Sequence, residues 1–206
     1  LGGRLNELYR VFPKFTLASE IVDDLIARIR KQKRIEVVLN SKPVLRDGSY
    51  GNYDITVENV ESGERTTYRV GTVVIAVGTD TYEPKRGEYG WGEVPCVITS
   101  LQLEKMLRNG ELRIPPKNPV FIHCVGSRQN PGEGNRYCSR VCCSAVITLQ
   151  KELREMFPNI KIFSAYKEHI RPFGNYMEEM WRENRQNGVT YLRWVREKPV
   201  TVERAP

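Results

Sequence analysis

Four of the five cysteines stand at Cys124, Cys138, Cys142 and Cys143, a C-x13-C-x3-C-C spacing. Four converging thiolates suit either a tetrahedral zinc or an iron–sulfur cluster. Adjacent residues chelate one small ion awkwardly, whereas the separate iron corners of a cubane can take one thiolate each from Cys142 and Cys143. Other readings stay open: buried or reduced thiols that only pack, bound zinc, and a redox-active Cys142/Cys143 pair. The last lacks the usual C-x-x-C spacing and would close a strained ring. Cys96 has no close partner in sequence and reads as packing.

The elements around these residues form an α/β pattern. A strand over 120–126 places Cys124 at its C-terminal end, where open α/β sheets hold their ligands. A helix follows over 140–156, with an apolar stripe at Ala145, Val146, Leu149, Leu153 and Met156. With Ser139 as its N-cap, Cys142 is the third helical position, and the helix N-terminus favours thiolates there. Arg128, Arg136 and Arg140 add positive charge. A strand over 160–166, a helix opening at Asn175 with Glu178 three residues on, an Asn187-Gly188 stop and a strand over 189–194 complete β-α-β-α-β. A nicotinamide-binding domain would need G-x-G-x-x-G after the first strand, and Gly126 stands alone, so thiolates occupy the place of the phosphate loop. His123 precedes the first cysteine, as a satisfied core residue or one that tunes the site through a hydrogen bond. Lys167, His169 and Arg171 follow the second strand, facing either a cofactor or partner, or solvent.

The first half reads differently. Thr16 can cap an amphipathic helix over 17–33 that leads into a strand over 35–39. Turn signals at Asp47-Gly48, Gly51-Asn52 and Ser62-Gly63 separate the strands of a small antiparallel meander. The unbroken apolar run 72–79, ending in Gly78, suits a strand buried on both faces. Loops over 79–95 and 110–119 flank a short helix to Arg108, capped by Ser100. The division expected is 1–117, a lobe with meander and linker, and 118–206, a Rossmann-like lobe with the cysteines.

In 206 residues, 40% hydrophobic and 28% charged, there is enough apolar side chain for a core, which excludes disorder and collagen-like repeats. No apolar run reaches the about 18 residues that cross a bilayer, so no direct membrane insertion is expected. The net charge of +7 lies mostly on helix faces such as Arg28, Arg30 and Lys31, without aromatic interleaving, and argues against nucleic acid as a partner. The opening Leu1-Gly2-Gly3-Arg4 has neither initiator Met nor a signal-peptide core, and reads as part of a longer chain.

At several stretches the chain resembles the A subunit of heterodisulfide reductases, iron–sulfur flavoproteins with a thioredoxin-reductase-like core. They are Leu1-Gly2-Gly3-Arg4-Leu5, Val74-Ile75-Ala76-Val77-Gly78, Val97-Ile98-Thr99-Ser100, Cys124-Val125-Gly126-Ser127-Arg128 and Tyr137-Cys138-Ser139-Arg140-Val141-Cys142-Cys143. The resemblance implies a [4Fe–4S] cluster on Cys124, Cys138, Cys142 and Cys143, close to a flavin. It implies that Gly2, Gly3 and Arg4 line an FAD site in the complete protein, and that Gly78 ends the strand approaching the flavin, so that 1–117 is a partial FAD-domain-like lobe. A cytoplasmic electron-transfer fragment follows, relaying electrons between flavin and partner iron–sulfur subunits, with a homodimer also compatible. Three departures stand out: the upstream FAD fingerprint and the ferredoxin-like cysteine clusters are missing, and Thr148 stands where bifurcating members carry a lysine. Simple electron transfer is therefore expected before bifurcation. The alternative class is a non-enzymatic scaffold with zinc-bound or free thiols.

Overall fold

The computed structural model describes residues 1–204. The chain is mixed α/β and divides into two compact units, residues 1–3 with 22–79, and residues 4–21 with those from 80 on. Among the described residues no helix is long and apolar enough to cross a membrane.

The second unit holds a parallel sheet of β6 (Val120–Ile122), β7 (Ile162–Lys167) and β8 (Val189–Trp194), in that order. The crossovers are α3 (Cys142–Met156) and α4 (Asn175–Gln186), which gives the β-α-β-α-β order expected from periodicity. Helix α3 ends before Phe157-Pro158, because the residue preceding proline is pushed out of the helical region. Helix α4 ends at Asn187-Gly188, with Gly188 at a φ of 99°. Its N-cap is Gly174, with no side-chain cap, so Asn175 and Glu178 form no capping box.

Two apolar clusters fill this unit. Leu103 and Leu107 of α2 (Ser100–Arg108) pack with Leu149 and Leu153 of α3, Ile162 and Val189. Ile147 packs with Met177 and Met180 of α4, joined by Phe12, Phe15, Ile170 and Trp181. The cap of α2 is Thr99 rather than Ser100: Thr99 Oγ1 accepts from Gln102 N–H at 3.2 Å, and Gln102 Oε1 accepts from Thr99 N–H at 2.7 Å. Ahead of these elements, β1 (Arg10–Val11) and β2 (Thr16–Leu17) pair antiparallel and lead into α1 (Ala18–Lys31).

The first unit contains the antiparallel meander β3 (Ser41–Ser49), β4 (Asn52–Asn59) and β5 (Arg65–Val70). Asp47-Gly48 is not a turn: both residues lie inside β3, and the chain reverses at Tyr50-Gly51. Residues 35–39 and 72–79 form no strand, and Val74, Ile75 and Val77 are 82–87% exposed. A strand exists only where its backbone N–H and carbonyl groups pair with a neighbouring strand, and neither run has a pairing partner among the described residues.

Candidate functional site

The cysteines sit where β6 runs out. His123 N–H still donates to Ala165 carbonyl at 2.9 Å, extending the β6–β7 ladder by one bond, and Cys124 then turns the chain with a φ of 65°. The loop that follows is tied internally: Asn135 Nδ2 donates to Gly126 carbonyl (3.1 Å), Gln129 N–H to Asn135 carbonyl (2.9 Å) and Arg128 N–H to Tyr137 carbonyl (3.0 Å). Gly126 must remain glycine, because the Tyr82 ring occupies the space a Cβ would need and φ is 71°. Arg140, at a φ of 64°, blocks an earlier helical start, so α3 begins at Cys142 instead of residue 140. The N-cap is therefore Val141, without a side-chain cap, rather than Ser139, and Cys142 is the first helical residue instead of the third; Ser139 Oγ, two residues before the cap, still accepts from Cys142 N–H at 3.3 Å.

Two of the sulfurs receive an N–H hydrogen bond and the other two lie near N–H groups. Arg140 N–H points at Cys138 Sγ (3.4 Å) and Arg128 Nη1 at Cys124 Sγ (3.8 Å). Cys142 is reached by the N–H groups of Cys124 and Cys143 and by the Ser139 hydroxyl, and Cys143 by Arg171 N–H. The Cys143 thiol also donates to Cys142, which, with the Ser139 and backbone donors and against burial, brings Cys142 down to about 6. Cys143 is correspondingly raised, as the thiol that keeps the shared proton and is buried. Burial, and then the charge of Cys142, raise Cys124 against the opposing Arg128 guanidinium. Cys124, Cys142 and Cys138 thus lie within electrostatic reach of one another, and Cys143 adjoins Cys142. Among the described residues, no three His, Cys, Asp or Glu side chains close on a point that a single metal ion could occupy.

Buried Arg128 anchors the loop to β7, donating to Lys167 carbonyl (2.8 Å) and pairing with Glu168, which also takes Arg196 (3.1 Å). Lys167 Nζ returns a bond to Arg128 carbonyl at 2.8 Å. Behind the thiols, His123 is 2% exposed; burial lowers it to about 4, leaving a neutral imidazole at pH 7. Its Nε2 meets Ser164 Oγ at 2.7 Å and its Nδ1 meets Cys143 Sγ at 3.8 Å. The sequence marked Arg128 only as nearby charge and Arg171 as facing a cofactor, a partner or solvent, and did not single out Ser164 or Gln150. They come from β7, α3 and a loop, with no common spacing to find them by.

Gly2, Gly3 and Gly78 lie in the first unit, all with positive φ, and Arg4 in the second. Arg4 meets Glu7 Oε2 and Thr81 Oγ1, each at 3.5 Å. Gly3 and Gly78 have no heavy atom within 4 Å of a Cβ position. His169 is exposed.

No protein-family model matches the chain. It is 34% identical over 148 residues, 66% of its own length, to the A subunit of the ferredoxin/F(420)H(2)-dependent CoB-CoM heterodisulfide reductase of Methanosarcina acetivorans. The A subunit of the H(2):CoB-CoM heterodisulfide,ferredoxin reductase of Methanothermobacter marburgensis is 34% identical over 149 residues, also 66% of this chain. In Methanopyrus kandleri, the second iron-sulfur A subunit of CoB--CoM heterodisulfide reductase is 38% identical over 136 residues, 60% of this chain. The matched segment covers 18%, 22% and 20% of these relatives, so the chain spans about a fifth of their length. Over most of its length the chain is therefore similar to a part of the A subunit of heterodisulfide reductase.

Proposed function

We propose that the second unit is the cluster-bearing, electron-transferring part of a heterodisulfide-reductase-A-like oxidoreductase, with one [4Fe–4S] cluster held by Cys124, Cys138, Cys142 and Cys143. The observation that carries this reading is the set of N–H groups around the sulfurs, hydrogen-bonded to Cys124 and Cys138 and close to Cys142 and Cys143. Neutral packing cysteines have no need of such donors, whereas thiolate ligands are stabilised by them and a cluster's potential is set by them. The adjacency of Cys142 and Cys143 favours a cubane, which offers a separate corner to each thiolate, over one tetrahedral zinc with Zn–S distances of about 2.3 Å. When bound, such a cluster supplies one-electron, outer-sphere transfer. The chain's own residues hold the ligands at the start of α3, where the helix dipole and Arg128 offset negative charge.

In the complete protein the reading places FAD against Gly2, Gly3, Arg4 and Gly78, within a thioredoxin-reductase-like arrangement of lobes divided near residue 117. The open, positive-φ backbones of Gly3 and Gly78 support this, since a cofactor needs close backbone approach. Electrons would pass between flavin and partner iron–sulfur subunits, the relation that the subunit names of the relatives suggest.

The test is iron and acid-labile sulfide per chain after anaerobic purification, with EPR of the dithionite-reduced protein. About four of each are expected, with a signal lost or altered in Cys142→Ala. No iron after anaerobic reconstitution, or one tightly held zinc in its place, overturns the reading in favour of a scaffold.

A further inference from the structure

A single line of buried polar side chains crosses the apolar interior of the second unit, and its direction can be read because one end is fixed. Arg154 has only donors, so its Nη1, 2.8 Å from Asn184 Oδ1, forces that atom to be the oxygen. Asn184 Nδ2 then donates to Ile147 carbonyl (2.9 Å) and towards Gln150 Oε1 (3.5 Å). The Tyr191 hydroxyl donates to the same Oε1 at 2.7 Å. With its oxygen so engaged, Gln150 presents Nε2 to Ser164 Oγ at 3.0 Å.

Ser164 Oγ now accepts from Gln150 and has one proton of its own to place. Ser164 is fully buried, and among the described residues the only other polar atom bonded to its side chain is His123 Nε2, at 2.7 Å. A hydroxyl left without an acceptor there would cost about 1–3 kcal/mol. The hydroxyl therefore donates to Nε2, and the single imidazole proton is on Nδ1, facing Cys143 Sγ.

We infer that Gln150 and Ser164 are positioning residues that lock His123 as the Nδ1–H tautomer, so that it donates an N–H···S hydrogen bond to Cys143. Cys143 thereby has two donors, the Arg171 backbone on one side and an imidazole fixed by the core on the other. A donor to a ligand sulfur stabilises the reduced, more negative state and raises the reduction potential. This last effect rests on the function proposed above; the proton's place on His123 does not.

The chain has two histidines, and exposed His169 serves as an internal standard. Long-range 15N–1H spectra of the full, metal-free chain with 15N-labelled histidine are expected to show His123 protonated at Nδ1 alone at neutral pH. Ser164→Ala and the similarly shaped Gln150→Met should each turn that single state into a mixture, with the amide fingerprint of the fold retained. Protonation at Nε2 in the wild type overturns the inference, as does a tautomer unmoved by both folded variants. If neither variant folds, the wild-type spectrum decides alone. In reconstituted protein, Ser164→Ala should lower the reduction potential. Failure to take up iron would defeat the proposed function while leaving the tautomer result standing.

Discussion

In the β3–β5 meander almost every side chain of β3 is exposed, and neighbouring strands hold one another through the backbone ladder and surface pairs such as Thr56 with Thr67. In the β6–β8 sheet, β7 buries Ile162, Ser164, Ala165 and Lys167 beneath helices that supply two apolar clusters and a polar line. Both sheets have three strands. Hairpin strands find their partners within a few residues and stand on local bonds, whereas parallel strands meet only after a crossover has packed, so their stability is that of the crossover's contacts. Amide exchange should accordingly be slower in β7 than in β3.

The largest expected break in that contrast is Leu153→Ala. It opens a cavity among Leu103, Leu149, Ile162 and Val189 and should cost about 2–5 kcal/mol in urea unfolding, with exchange in β7 accelerating and exchange in β4 unchanged. Next comes Glu104→Gln. Burial raises Glu104 to about 7, against the Tyr9 N–H bond and with Glu152 adding to the rise. Between pH 4.5 and 7 the folded chain thus holds a proton that the unfolded chain has lost, so wild-type stability falls as pH rises through that window. The variant should flatten this dependence and exceed the wild type above pH 7, by at most about 3 kcal/mol; parallel curves for the two would contradict the assignment.

Smaller effects belong to the meander. Gly48 has a φ of 85° and the Asn52 carbonyl lies against its Cβ position, so Gly48→Ala should cost about 1–2 kcal/mol and loosen exchange in β3 and β4 alone. Thr67→Val removes the hydroxyl pair with Thr56 (3.0 Å) and should change stability by about 0.2–1 kcal/mol, seen only in exchange across β4 and β5. A global drop from either substitution would mean that the two regions melt together.

The same contrast governs what the sequence discloses. Helices α3 and α4 and strand β8 follow from apolar period, Pro158 and Gly188, because each signal acts within its own element. The runs 35–39 and 72–79 have strand composition without strand structure, since composition does not supply the neighbour that a parallel strand needs. Helix starts slipped by a residue or two: Thr99 displaced Ser100 as a cap, and the left-handed Arg140 delayed α3. Spacing singled out the cysteines, and the loop brings Cys142 and Cys138 within electrostatic reach of Cys124. The line from Arg154 to His123 was not legible, because its members come from the residue after β6 and from β7, α3, α4 and β8, with no periodicity in common.

Lys167 Nζ stands 5.3 Å from the centre of the Trp194 ring while bonding the carbonyl of Arg128, whose guanidinium touches Cys124. That stack makes the indole an optical witness to the cysteine loop. A cation held over one face of the ring biases its excited-state dipole, so a shift of the Arg128 carbonyl that moves the ammonium also moves the colour of Trp194 emission. The protein carries its own fluorophore three contacts away from the Cys124 sulfur.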